Sequence, residues 1–143
     1  EGKDGPGVAV MGDRNVLKRN EASDSEGHGF EVSGNDNHLN DNRAKKNDGS
    51  GMLVSGTGNM LVHNQAIEND ADGIQVSGTS NSLDTNLGLR NKGDGLDITG
   101  VDNDLSDNVG TNNEGFGIVA VPGNNDLGGN TGSGNGLGDV DIP

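Results

Sequence analysis

The chain has no cysteine, no tryptophan and no tyrosine, and only two phenylalanines and three prolines in 143 residues. Without cysteine there is no disulfide and no thiol chemistry, an absence that fits any compartment. Apolar residues make up only 27% of the chain, a level at which composition alone reads as disorder. Basic residues are scarce as well, nine against 23 acidic ones, for a net charge of −14. So acidic a chain is a poor ligand for nucleic acid or an anionic membrane surface. No apolar run reaches the length of a membrane span and none reads as a signal peptide, so no membrane insertion is expected. Glu1 in the place of Met is expected to mark a processed, excised or partial chain.

What the chain has is glycine, 27 of them, and asparagine, in strict order. From Gly5 onward a 22-residue unit repeats six times: coils 5–26, 27–48, 49–70, 71–92, 93–114 and 115–136, with a partial seventh, 137–143. The whole chain, 1–143, reads as one domain, and the six copies align without insertion or deletion. Position three is Gly in every full copy (Gly7, Gly29, Gly51, Gly73, Gly95, Gly117). Positions four and six are apolar, as in Met52 and Val54 or Ile74 and Val76. Position eleven is Asn (Asn15, Asn37, Asn59, Asn81, Asn103, Asn125) and position thirteen is Leu (Leu17, Leu39, Leu61, Leu83, Leu105, Leu127). Position sixteen is Asn again, from Asn20 to Asn130, and position eighteen is Ala or Gly. Position twenty-one is Asn in all but the first copy, which has Ser25.

Pairs two residues apart at four and six, eleven and thirteen, and sixteen and eighteen give strand alternation, and nothing recurs at helical spacing. Gly and Asn suit left-handed backbone and mark corners. Each unit therefore predicts three short strands joined by tight turns. A fixed short period predicts a solenoid that buries a thin continuous core. Coils stacked at about 4.8 Å turn each Asn column into a ladder of amides bonded up and down the stack. The fold class is all-β, a right-handed parallel β-helix with internal Asn ladders; the hand follows from the crossover rule. The units G-φ-x-φ and N-x-φ-x-x-N resemble the parallel β-helix repeats of the pectin-lyase-like superfold, especially NosD-like repeat proteins. That resemblance covers Gly5 to Gly136. It implies the fold but no single activity, because the superfold hosts lyases, hydrolases, epimerases, phage tailspikes and non-catalytic surface proteins.

Candidate sites come from departures from the repeat. Ile118 to Val121 break alternation after Phe116, so Phe116, Val119 and Val121 form one candidate apolar contact patch. Ile67, Leu87, Leu89 and Val109 form a second, on outward or corner positions. A local slip that turns Leu87 and Leu89 inward in place of Gly88 is the alternative. Pro122-Gly123 at position eight suits a type II turn. Stacked outward acids offer Ca²⁺ candidates, Asp70, Asp72 and Asp94 near one corner and Asp104 above Asp126. No cofactor is otherwise expected. His38, Met60 and His63 are the residues on which the copper suggested by the NosD resemblance would fall. Enzymes of the superfold that act on polysaccharides use aromatic platforms and clustered basic residues. The Y-G-F-D-P-H type motif of mannuronan epimerases does not occur here, and no catalytic residue is assigned. Ser-Gly-Thr at 55–57 and 77–79 is too short a pattern for ice binding, and acidic pairs at glycosidase spacing come free with stacking.

Charge drifts from Lys3, Arg14, Lys18 and Arg19 early to Asp102, Asp104, Asp107 and Asp126 late. Glu1 to Asp4 offer no cap, and the last coil stops with pairing groups open, so the ends are expected either to continue in a longer chain or to meet another copy. Two functions stay open. One is a non-catalytic, extracellular or cell-surface structural and interaction module that assembles end to end into a filament. The other is a segment of a larger secreted protein that binds or processes an acidic glycan.

Overall fold

In a computed structural model, which describes residues 5–143, three parallel sheets wrap around one narrow core. The expectations for Glu1 to Asp4, Lys3 included, lie outside the described residues. Sheet A stacks Val8–Met11, Phe30–Ser33, Met52–Thr57, Ile74–Thr79, Leu96–Ile98, Phe116–Ala120 and Gly138–Asp141. Sheet B stacks Val16–Lys18, His38–Asn40, Met60–Val62, Ser82–Asp84, Asp104–Ser106 and Asn125–Gly128. Sheet C stacks Glu21–Ser23, Arg43–Lys45, Gln65–Ile67, Leu87–Leu89, Val109–Thr111 and Thr131–Ser133. Every pairing is parallel, and outside the last rung of sheet B partners lie 22 residues apart, as in Ile74 opposite Met52 and Leu83 opposite Leu61. Sheet A has seven rungs and the other two have six, so the far end of the rod is stepped.

The core is what the alternation dictates. Phe30, Met52, Ile74, Leu96 and Ile118 fill one buried column, and Leu39, Leu61, Leu83 and Leu105 fill another. The Asn columns run between these apolar ones, and Asn42, Asn64, Asn86 and Asn108 are each at most 1% exposed. Their burial is tolerated because every polar atom has a fixed partner one rung away. In the second ladder the amide oxygen of Asn86 accepts from Asn64 N–H and from Asn64 Nδ2, both at 3.0 Å. Asn86 Nδ2 donates to Leu61 O at 2.8 Å and to Asn108 Oδ1 at 3.0 Å. The exception among the described residues is Asn37 Nδ2, which is buried without a partner. Gly12 O, the acceptor the repeat would give it, is taken by Asn15 Nδ2 at 3.0 Å.

Two expectations need correction. The asparagines line the interior, and the sharp turn falls on the residue before each one. Arg14, Arg19, Asp36, His63, Thr85 and Asn112 are among fourteen such non-glycine residues, with φ between 51° and 57°. A left-handed residue redirects the chain so that the next side chain points inward, and the ladder bonds hold it there. Glycine is needed elsewhere. At position eight Gly34, Gly56 and Gly78 have φ of 131°, 120° and 122°. At position three backbone approaches too closely for a side chain: a Cβ on Gly51 would lie 2.6 Å from Gly73 O and 2.7 Å from Asn69 Nδ2.

The second correction is in coil six, where the frame is broken and then restored. Asn103 N–H donates to Asn124 Oδ1 at 3.0 Å, a step of 21 residues, so Asn124 rather than Asn125 continues the ladder. The Pro122-Gly123 turn is one residue shorter than its counterparts. A bulge then returns the extra residue, with Leu105 opposite Asp126 and Ser106 opposite Gly128. Leu127 is thereby expelled from the core and is 64% exposed.

Candidate functional site

Sheet C carries only Ala or Gly inward (Ala22, Ala44, Ala66, Gly88, Gly110, Gly132), so its larger residues all face out. On that outer face Leu87 lies beside Val109, and Leu89 beside Ile67. The slip that would bury Leu87 and Leu89 does not occur. Gly88 stays inside, and the backbone of Gly95 fills the place a Cβ would take. Ile67 is 9% exposed and the other three are half-buried, shielded by one another. Glu68 borders the group and bridges Arg90 at 3.4 Å and Lys45 at 3.9 Å.

Val119 occupies an outward position of sheet A between Asp97 and Asp141, Val121 is 38% exposed, and Phe116 is half-buried against Gly138. The three do not close into one patch with the sheet C group, which lies on another face.

The acids expected near one corner are already engaged. Asp70 Oδ2 receives Lys92 Nζ at 2.7 Å, and that ion pair raises the Lys92 pKa. Asp72 Oδ1 accepts Asp94 N–H at 2.8 Å, and Asp94 Oδ1 accepts Phe116 N–H at 2.6 Å. They form an outer ladder in which each side chain satisfies the backbone of the next rung. His28 starts the same column, its Nδ1 accepting Ser50 N–H at 3.0 Å. Burial raises the Asp94 pKa, the bond from Phe116 opposes that rise, and the Asp72 charge adds to it. Asp104 faces Asn125, which donates to it at 2.8 Å, and not Asp126, because of the short Pro122-Gly123 turn. His38 and Met60 are neighbours in sheet B, and His63 sits on the following corner. Among the described residues no three His, Cys, Asp or Glu side chains gather as metal ligands, and no cleft interrupts the surface. Among the described residues there is no helix long and apolar enough to cross a membrane.

The sequence reading misses Asp97. It sits between Gln75 and Val119 on sheet A, and Gln75 Nε2 donates to it at 3.3 Å. Burial raises its pKa first, the Asp72 charge raises it further, and the Gln75 bond counteracts in part. The signal was available: an acid in a stacked column whose next rung is valine loses water on that side. No basic side chain of the described residues pairs with Asp97.

No curated protein matches the chain by sequence. Among solved structures it is similar to the periplasmic alginate epimerase AlgG, with 22% identity, a TM-score of 0.79, and coverage of 94% of this chain and 39% of that one. A mutant of the same epimerase with aspartate replaced by alanine gives 22% identity and a TM-score of 0.80, covering 96% of this chain and 40% of that one. Another, with threonine replaced by asparagine, gives 20% identity and a TM-score of 0.82, covering 96% and 39%. The chain thus spans about two fifths of the length of the structures it matches, and at this identity the match shows the fold. The family model described as right handed beta helix region matches residues 6–140, and the chain belongs to that family.

Proposed function

We propose that this chain is a non-catalytic structural and interaction module, displayed outside the cytoplasm, which makes its contacts through the flank of the solenoid. The observation that carries this is the outward apolar group of sheet C, Ile67, Leu87, Leu89 and Val109, arranged in two stacked columns. These side chains do nothing for the core, whose share of that sheet is filled by Ala and Gly. Apolar residues gathered on an outer face mark contact with another surface, and flat sheets pack face to face at about 10 Å. The partner we assign is a second copy of this chain. Sheet C is the face on which two such acidic molecules repel least, since Glu21 is the one acid at its outward strand positions. A two-fold axis through coil four would lay Leu87 and Leu89 on their counterparts and set Arg43 and Lys45 against the neutral Thr131 and Ser133. Sedimentation over a wide concentration range tests it. The wild type should dimerise and the Leu87→Lys, Leu89→Lys double variant should not, with its circular dichroism unchanged. A wild type that stays monomeric throughout overturns the proposal.

A second reading rests on the fold match to AlgG, whose structures are described as those of a periplasmic alginate epimerase. Under it the chain is a polysaccharide-binding or polysaccharide-processing segment, with sheet A and Asp97 as the working face. Retardation of the protein in an alginate-containing gel, or a change in alginate composition by NMR, would favour it. Neither effect at low salt, where the net charge of −14 opposes the polymer most, leaves this reading without support only if moderate salt fails to restore binding as well.

A further inference from the structure

The last rung of each Asn ladder is closed by this chain's own acceptors. Within the ladders an Asn Nδ2 typically donates once to a carbonyl 25 residues back and once to the Asn 22 residues ahead, as Asn108 does to Leu83 O and Asn130 Oδ1. At the final rung the forward bond is turned around. Asn124 Nδ2 donates to Val121 O at 2.8 Å, Asn130 Nδ2 to Asp126 Oδ1 at 2.7 Å, and Asn135 Nδ2 to Asp139 Oδ1 at 2.9 Å.

Both aspartates stand in columns that are otherwise strict. Asp126 lies opposite Leu105, in the column of buried leucines, and it reaches that place through the short Pro122-Gly123 turn. Its Oδ1 also accepts Gly128 N–H at 2.9 Å, at the edge of sheet B. Asp139 is at position three of the partial coil, where all six full coils have Gly. In those coils the carbonyl of the next rung passes too close for any Cβ, as Gly73 O does above Gly51 at 2.6 Å.

We propose that Asp126 and Asp139 are rung stops, which close the stack against a further coil of this repeat. A coil laid over Asp126 would cover a carboxylate with leucine and strip its water without supplying a cation. A coil laid over Asp139 would drive a carbonyl into its Cβ. Inward charge at a sheet edge is a known means of preventing further pairing.

The test extends the full chain. Residues 78–114, which carry positions eight to twenty-two of one regular coil and the whole of the next, are repeated directly after Pro143, where the frame calls for them, so that the added chain passes over both Asp126 and Asp139. In this extended chain the added backbone amides should exchange at the rate of an unfolded segment. With Asp126→Leu and Asp139→Gly, which restore the two columns, exchange there should slow at least about tenfold, the factor that about 1.4 kcal/mol of local stability gives. Asp126→Asn with Asp139→Asn removes the charge but keeps acceptor and Cβ, and should leave the added coil unprotected. Equal protection with and without the Leu and Gly substitutions overturns the proposal, whether both are high or both low. Protection in the double Asn variant overturns the stop assigned to Asp139, whose Cβ the Asn keeps. Circular dichroism of each variant confirms that the six native coils remain folded.

Discussion

Replacing Asn86 by alanine isolates one rung of a buried ladder in the middle of the stack. Four hydrogen bonds disappear: two accepted from Asn64 at 3.0 Å, one donated to Leu61 O at 2.8 Å and one donated to Asn108 Oδ1 at 3.0 Å. At about 1 kcal/mol net for each bond the loss is about 4 kcal/mol. Part of it comes from stranding Asn64 N–H, which is buried. That is a large share of the roughly 5–15 kcal/mol by which a domain is stable. Urea unfolding followed by circular dichroism measures the change, and hydrogen exchange at Asn64 N–H locates it. Asn86→Asp sharpens the test, because it keeps the shape and the acceptor but points a carboxylate at Leu61 O and Asn108 Oδ1. It should damage the fold at neutral pH and recover in acid, where the protonated group can donate again. A loss below about 1 kcal/mol in Asn86→Ala, against the four bonds counted, would refute the view that the ladders hold the coils together.

Three further outcomes follow from single positions. Gly73→Ala should cost about 3 kcal/mol, since its Cβ would meet Gly95 O and lie 2.6 Å from Asn91 Nδ2; an unchanged denaturation midpoint would contradict the close approach. Thr85 is a β-branched residue held at φ 56°, so Thr85→Asn should stabilise by about 1 kcal/mol, read as a higher urea midpoint. Asp97 has a raised pKa in the fold, so its contribution is fully present below the ordinary carboxylate range and is lost as pH rises through the folded value. Asp97→Asn should therefore flatten the pH profile of stability on the acid side of neutrality and leave the variant slightly more stable than the wild type at pH 7; a steeper fall in acid for the wild type than for the variant would reverse the sign.

The coil architecture is legible in the sequence because each column serves one physical need. Position three must be bare for the carbonyl above it, thirteen must fill the core, and sixteen must bond to its own copy one rung away. Such columns survive inspection without coordinates. What escapes is whatever depends on neighbours outside the column. Arg19, His63 and Thr85 share position fifteen and no chemistry, yet all three adopt the same left-handed turn, because the requirement there is on the backbone and the ladder enforces it. The coil-six shift hides in plain view: Asn124 and Asn125 are identical side chains, and only the shorter Pro122-Gly123 turn decides which one enters the ladder. The candidate residues show the same limit. Outward placement of Leu87 and Leu89 follows from alternation around Gly88, whereas the engagement of Asp94 by Phe116 N–H and the burial of Asp97 under Val119 depend on which residue the next rung supplies.

Cysteine pairing measures the 22-residue stack most directly, since the chain has no cysteine of its own. Thr57 and Thr79 are opposite one another in sheet A with their hydroxyl oxygens 3.3 Å apart, and Val101 follows one rung further. Thr57→Cys with Thr79→Cys should oxidise rapidly to an intramolecular disulfide, and Thr57→Cys with Val101→Cys, two rungs or about 10 Å apart, should not. Equal cross-linking of the two pairs, or none in the first, would contradict coils stacked one repeat above the next.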